Sequence, residues 1–362
     1  MQILGIETSC DETAAAVVEI NNDTMKCTLM SNVVASSMDL HVQYGGVVPE
    51  IAARSHIESI IPVIEESLQG LTLHNMDPWE AIDGIAVTYG AGLGGSLLIG
   101  VMTARTLALT KNKPLYAINH VEGHVYANFI TKTTLPGYHL PSTTPTFPCL
   151  ALIVSGGHSQ LALFKDHFKY KLLGQTQDDA IGEAFDKVAK MIGLPYPGGP
   201  SIGKKALEGN PEAFTLPKAK MARTYDFSFS GLKTAVLRRA QEACGKDFTF
   251  PSKQLPQSLT DAQKADIAAV FQRVAIETVV DKTIAAYKEF SPASVVIAGG
   301  VAASSELRRQ LKTRLPIDIQ YTDPKLCTDN GAMIATLGAF KARLGQPTAD
   351  PSTLEIQPNL SM

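Results

Sequence analysis

The chain has 362 residues, 45% hydrophobic and 19% charged, an ordinary globular composition long enough for two lobes with separate cores. A net charge of −3 argues against a protein that coats nucleic acid by bulk electrostatics, so any such contact must be local or shared with a partner. There is no basic leader and no apolar run near the ~18 residues a membrane span needs, and the five cysteines (Cys10, Cys27, Cys149, Cys244, Cys327) are odd in number and lack CxxC spacing; these features predict a cytoplasmic protein with reduced thiols and no membrane contact.

Residues 2–7 read as a buried strand, with two more at 14–20 and 27–35, an N-terminal meander of hairpins. The first turn, ETSCDET at 7–13, is acidic and rich in hydroxyls where a simple turn would need only Gly or Asn; a solvated turn is its plain reading. Residues 49–68 read as a helix, with Pro49 in its first turn and Ile51, Ile57, Ile60, Ile61 and Ile64 as an apolar stripe. A buried strand at 82–88 runs into the glycine-rich GAGLGGS (90–96), which can turn backbone amides toward an anion but is neither a Walker loop nor a clean GxGxxG.

A strand at 115–119 leads directly into HVEGH at 120–124. Histidines at i and i+4 of a helix share one face, about 5–6 Å apart at Cβ, so His120 and His124 can reach one metal ion. Spacing alone makes only half a site, and a half-buried histidine pair explains it equally well until a third ligand, such as a carboxylate, is found. Glu122 would point away from that ion, and no glutamate follows His120, so the motif is not HExxH.

Residues 131–148, rich in Pro, Thr and Ser, read as the passage between lobes. The strand pattern then restarts: strand 149–154, the tight turn Ser155-Gly156-Gly157-His158, and a returning strand at 159–164. Two halves that each open with strand-turn-strand suggest a duplicated architecture. The second turn has the small residues that let amides approach a phosphate. Residues 178–192 read as an amphipathic helix on which Asp186 and Lys190 stand at salt-bridge spacing, and YPGGP (196–200) as a rigid turn. Between 218 and 253 eight Lys/Arg face three acids, a candidate polyanion contact or a solvated helix face. Residues 260–289 read as helix in two or more linked stretches; then come a strand at 294–298, a Gly299-Gly300 turn, a helix at 304–315 and a last strand at 317–321. Asp329 precedes the final helix, 332–344, where it can cap that helix or present a carboxylate.

Five stretches in this order, ILGIETSCDET (3–13), HVEGH (120–124), LIVSGGH (152–158), YPGGP (196–200) and IAGGV (297–301), are far more specific together than singly. Over nearly its whole length the chain resembles the tRNA threonylcarbamoyladenosine transferases, once labelled glycoproteases. The resemblance implies an α/β, two-lobed fold of the actin, heat-shock ATPase and sugar-kinase class, with lobes at 1–145 plus 328–362 and at 146–327 and a ligand cleft between them. It implies transfer of threonylcarbamoyl from threonylcarbamoyladenylate to the exocyclic amine of adenosine 37, next to the anticodon, in tRNAs reading codons that begin with adenine, with release of AMP. It also implies His120, His124 and Asp329 as ligands of one divalent metal ion, iron expected and zinc the alternative. Ile153, Val154, Ser155, Gly156 and Gly157 would meet the acyl phosphate, Asp186 and Gly199 the ribose, and the turn near Ser304 the base. Expected partners are tRNA, a second, similarly folded subunit and an accessory ATPase. Ser304 stands where many members carry Asn, and Gly203 where many archaeal-type members carry an acid, so the bacterial type fits better. An ATP-dependent carbamoyltransferase or kinase on the same fold is the rival reading, and HVEGH in place of groups that serve a γ-phosphate weighs against it.

Overall fold

The computed structural model describes residues 1–71 and 77–362. It divides into two compact units, Met1–Pro145 with Tyr321–Met362, and Thr146–Gln320.

The first unit is built on six strands, β1 (Gln2–Glu7), β2 (Glu12–Ile20), β3 (Cys27–Ser36), β4 (Gly84–Gly90), β5 (Leu115–Asn119) and β6 (Ile130–Thr133), in the order β5-β4-β1-β2-β3-β6. The strands joined by short polar turns pair antiparallel, as β1-β2 and β2-β3, whereas β4 and β5 join in parallel. A parallel strand needs a crossover, supplied by the Pro49–Gln69 and Gly94–Lys111 helices. Leu4 and Ile6 of β1 pack with Ile60, Val63 and Ile64 of the first of these helices and Val101 and Ala104 of the second. Gly5, facing the other way by the period of the strand, lies against the backbone of the Gly331–Arg343 helix.

The second unit holds β7 (Cys149–Val154), β8 (Ser159–Asp166), β9 (Lys169–Gln175), β10 (Ser294–Ala298) and β11 (Ile319–Gln320), in the order β11-β10-β7-β8-β9. β7-β8 and β8-β9 are antiparallel, and β10 and β11 are parallel additions. Numbered from its own first strand, each sheet reads fifth, fourth, first, second, third. The same unit has therefore been used twice, with β6 as an extra edge in the first, and this is the fold class expected from the motifs.

Three local expectations are corrected. The helix expected to be broken runs unbroken as Asp261–Phe290, because that stretch holds neither Gly nor Pro and opens with a Thr260–Gln263 capping box. The passage at 131–148 overlaps the end of β6, and β9 has no counterpart among the strands expected from the sequence. Among the described residues no helix is long and apolar enough to cross a membrane.

Candidate metal centre and glycine turn

β5 ends at Asn119, whose side-chain oxygen accepts the N–H groups of Val121 and Glu122 at 2.9 and 3.2 Å. That cap starts the His120–Tyr126 helix directly at the strand end and sets both imidazoles on one face, ring centroids 4.8 Å apart. Asp329 comes from the far end of the sequence. Asn330 performs the capping that Asp329 could have done, accepting the Met333 N–H at 3.0 Å. The Asp329 carboxylate lies instead with Oδ1 3.3 Å from His124 Nε2 and 3.5 Å from His120 Nε2. One donor atom from each residue falls within 4.8 Å of the others, the one such group of three found among the described residues. Bonds of about 2.0–2.2 Å to a shared ion place neighbouring ligand atoms about 3.0–3.5 Å apart, the spacing seen to Asp329 Oδ1.

The surroundings fit a cation. His124 is buried, and neither ring nitrogen has a hydrogen-bond partner among the described residues, although Nε2 stands 3.3 Å from Asp329 Oδ1. Leaving such a group unsatisfied costs about 1–3 kcal/mol, which a shared ion would offset. His120 is held from behind. Its Nδ1 lies 3.0 Å from Glu7 Oε2 and 3.0 Å from Ser9 Oγ, leaving Nε2 on the Asp329 side. Glu7 is fully buried and also accepts the Thr88 hydroxyl at 2.6 Å and the Ser9 N–H. Burial opposes the His120 imidazolium, but the carboxylates of Asp329 and Glu7 outweigh it and push the group up to about 9. Glu12 is also pushed up to about 9, by burial and by the charges of Asp329 and Asp11. Burial is the larger cause, and the negative charges of Asp329 and Asp11 that add to it favour a positive ion here.

The turn at 7–13 is therefore no solvated turn: Glu7, Thr8, Ser9, Asp11 and Thr13 are buried. Residue type alone marked it as unusual, but only the fold brings Glu7 and Ser9 to His120. Glu122 stands outside the ligand group; burial pushes it up to about 7, countered by the charge of Lys341.

In the second unit β7 ends in the turn expected from the sequence, Val154 pairing with Ser159 across it. The Ser155 carbonyl accepts the Gly182 N–H at 3.3 Å and the Gly156 carbonyl the Glu183 N–H at 3.2 Å. Across a trans peptide C=O and N–H point in opposite directions, so the Gly156 and Gly157 N–H groups face away from that helix. A Cβ at either glycine would meet nothing within 4 Å. Behind the turn there is no such room. A Cβ at Gly182 would lie 2.6 Å from the Ser155 oxygen, and one at Gly299, whose φ is +87°, would lie 2.5 Å from the Val154 oxygen.

Ile153 and Val154 are buried within β7 and can offer only main chain. Asp186 lies on the same Ile181–Ile192 helix as Gly182. In place of the expected Lys190 pairing, its Oδ1 accepts the Gly198 N–H at 2.6 Å, which ties it to the start of the Gly198–Ala206 helix, where Gly199 has open space above it. Ser304 follows the Gly299 turn and caps the Ser305–Arg314 helix, its hydroxyl accepting the Leu307 N–H at 3.4 Å. Asn caps a helix as well as Ser does, so this replacement keeps the local fold.

Residues 28–336 match the model of a family described as TsaD: tRNA N6-adenosine threonylcarbamoyltransferase. Curated proteins of that name are similar along nearly their whole length. The one from Thermomicrobium roseum is 48% identical over 95% of this chain and 93% of its own, and the one from Dehalococcoides mccartyi strain CBDB1 is 42% identical over 100% and 99%. Among solved structures, full-length HypF in a phosphate- and nucleotide-bound form is similar with a TM-score of 0.55 at 14% identity, over 94% of this chain and 46% of that one, a likeness of fold alone.

Proposed function

The chain belongs to the tRNA N6-adenosine threonylcarbamoyltransferase family, and from that premise we propose that His120, His124 and Asp329 hold one divalent metal ion while the Ser155-Gly156-Gly157 turn, Asp186, Gly199 and Ser304 hold the adenylate. The enzyme transfers threonylcarbamoyl from threonylcarbamoyladenylate to the exocyclic amine of adenosine 37 of tRNA and releases AMP. The buried His124 ring, beside Asp329 and with no hydrogen-bond partner for its nitrogens among the described residues, carries the metal reading.

Two imidazoles and one carboxylate suit iron, with zinc as the alternative, and the ion when bound would act as a Lewis acid and template for the carbamoyl group. Glu7 and Ser9 hold the Nδ1 side of His120, so its Nε2 is the ligand atom. The outward amides of Gly156 and Gly157 would receive the phosphate, stabilising the charge that leaves with AMP. Ile153 and Val154 support this turn through the β7 backbone. Asp186 Oδ1 is committed to Gly198, so Oδ2 is the oxygen offered to a ribose hydroxyl, beside Gly199, and the Ser304 turn would border the base.

A tRNA substrate and a chain charge of −3 call for help with binding, and a second, similarly folded subunit with an accessory ATPase would supply it in the cytoplasm. The Pro49–Gln69 stripe supports the subunit contact: Ile60 and Ile64 are buried, but Ile57 and Ile61 are 62% and 51% exposed. The adjoining Gly94–Lys111 helix exposes Leu98, Met102 and Leu109. The pair Ile61→Asp and Met102→Asp is expected to leave the melting temperature nearly unchanged and to abolish co-purification of the second subunit. Retained co-purification would remove this face from the interface. The isolated chain is expected to modify tRNA poorly until partners are added, and robust multiple turnover by it on synthetic adenylate and bare tRNA would contradict that requirement.

A further inference from the structure

The eight cations between Lys218 and Lys253 are not equivalent. Lys218 is bound to Glu277 and Asp281, Lys233 to Asp179, and Arg239 to Glu242, so these three are fastenings within the second unit. Arg238, Lys246 and Lys253 are exposed, with no carboxylate within ion-pair distance among the described residues. They flank a built feature. Beyond the Ser230–Ala243 helix the chain turns back, and the buried Gln241 side chain donates to the carbonyls of Phe248 and Phe250 at 3.2 and 2.8 Å. The loop is thus fixed, yet Phe248 is left 60% exposed. The Arg238 guanidinium lies over the Phe248 ring at 5.6 Å, and the Lys246 ammonium over Phe250 at 5.4 Å. Of the acids nearby, Glu242 is taken by Arg239, and Asp247 accepts the Thr249 amide and hydroxyl.

We infer that Arg238, Lys246, Phe248 and Lys253 form a contact surface for tRNA, Phe248 stacking against an unpaired base and the three cations meeting phosphates. A folded protein that must place an adenosine loop needs both elements: cations alone hold any polyanion, whereas a ring held open in a rigid loop fits an unstacked nucleotide. A chain of net charge −3 can concentrate such contacts only locally, and this loop does so. The inference rests on the tRNA-modifying activity.

The test uses cell extract depleted of this chain and resupplied with purified wild-type or variant protein, so that every partner is present. Initial rates of modification are measured against tRNA concentration at saturating adenylate. The Arg238→Glu, Lys246→Glu double variant is expected to raise KM for tRNA at least tenfold with kcat within twofold, and to make the salt dependence of kcat/KM shallower by about one power for each phosphate no longer bound. Phe248→Ala is expected to raise KM roughly fivefold or more with an unchanged salt slope, and Phe248→Trp to restore it. Unchanged KM in both variants, each with wild-type adenylate affinity as proof of folding, would overturn the inference. So would a fall in kcat at constant KM, which would mark the face as a protein contact. Absence of product with the wild-type chain would instead strike the tRNA-modifying activity itself.

Discussion

Asp329→Ala is expected to lower metal affinity about a hundredfold or more and to remove transfer activity with it, while leaving the fold intact. Asp329 is about one-fifth exposed at its side chain and Asn330 rather than Asp329 caps the following helix, so the variant should still fold, losing the ion pairs to His120 and His124. What it would take away is the one carboxylate among the described residues that stands close to both imidazoles, and outer partners of metal ligands alone are already worth about ten- to a hundredfold in affinity. His120→Ala should act alike on the metal, with an added loss of stability because Glu7 would be left buried without its main partner. Elemental analysis checks both, and full metal occupancy in either variant would refute the ligand assignment.

A second large effect separates two glycines with opposite surroundings. Gly156→Val is expected to leave thermal stability within about 0.5 kcal/mol, since its side chain would enter open space, and to weaken AMP or adenylate-analogue binding at least tenfold by occupying the phosphate's place. Gly299→Ala is expected to destabilise the protein by about 1–3 kcal/mol or more, because a φ of +87° strains any side chain and the new Cβ would press on the Val154 oxygen. Calorimetry and thermal melting distinguish the two. Unchanged nucleotide affinity in Gly156→Val would show that the turn does not receive the phosphate.

What the sequence disclosed, and what it hid, follows from distance along the chain and from burial. β7, its turn and β8 were legible because a fully apolar run, two glycines and a second apolar run leave few other structures. β10 was legible to the residue for the same reason. β9 was not, since KYKLLGQ is an edge strand whose lysines face water and break the apolar signal. The histidine pair was visible as spacing, but Asp329, the carboxylate beside it, lies about two hundred residues away, and only the family resemblance connected them. Glu7 and Ser9 could not be assigned to His120 from the turn's composition. The basic excess was countable, yet its partial neutralisation by Asp179, Glu277 and Asp281 is a tertiary fact that no local window contains.

A metal held by His120, His124 and Asp329 is central to threonylcarbamoyl transfer as proposed here. Its most direct test is the yield of threonylcarbamoyladenosine, measured by nucleoside mass spectrometry on tRNA in the complete reaction, as the metal is withdrawn by chelation and then returned. Product formation is expected to stop on withdrawal and to recover as about one ion per chain is restored. Undiminished product from a chain shown to be free of metal would contradict the metal's role.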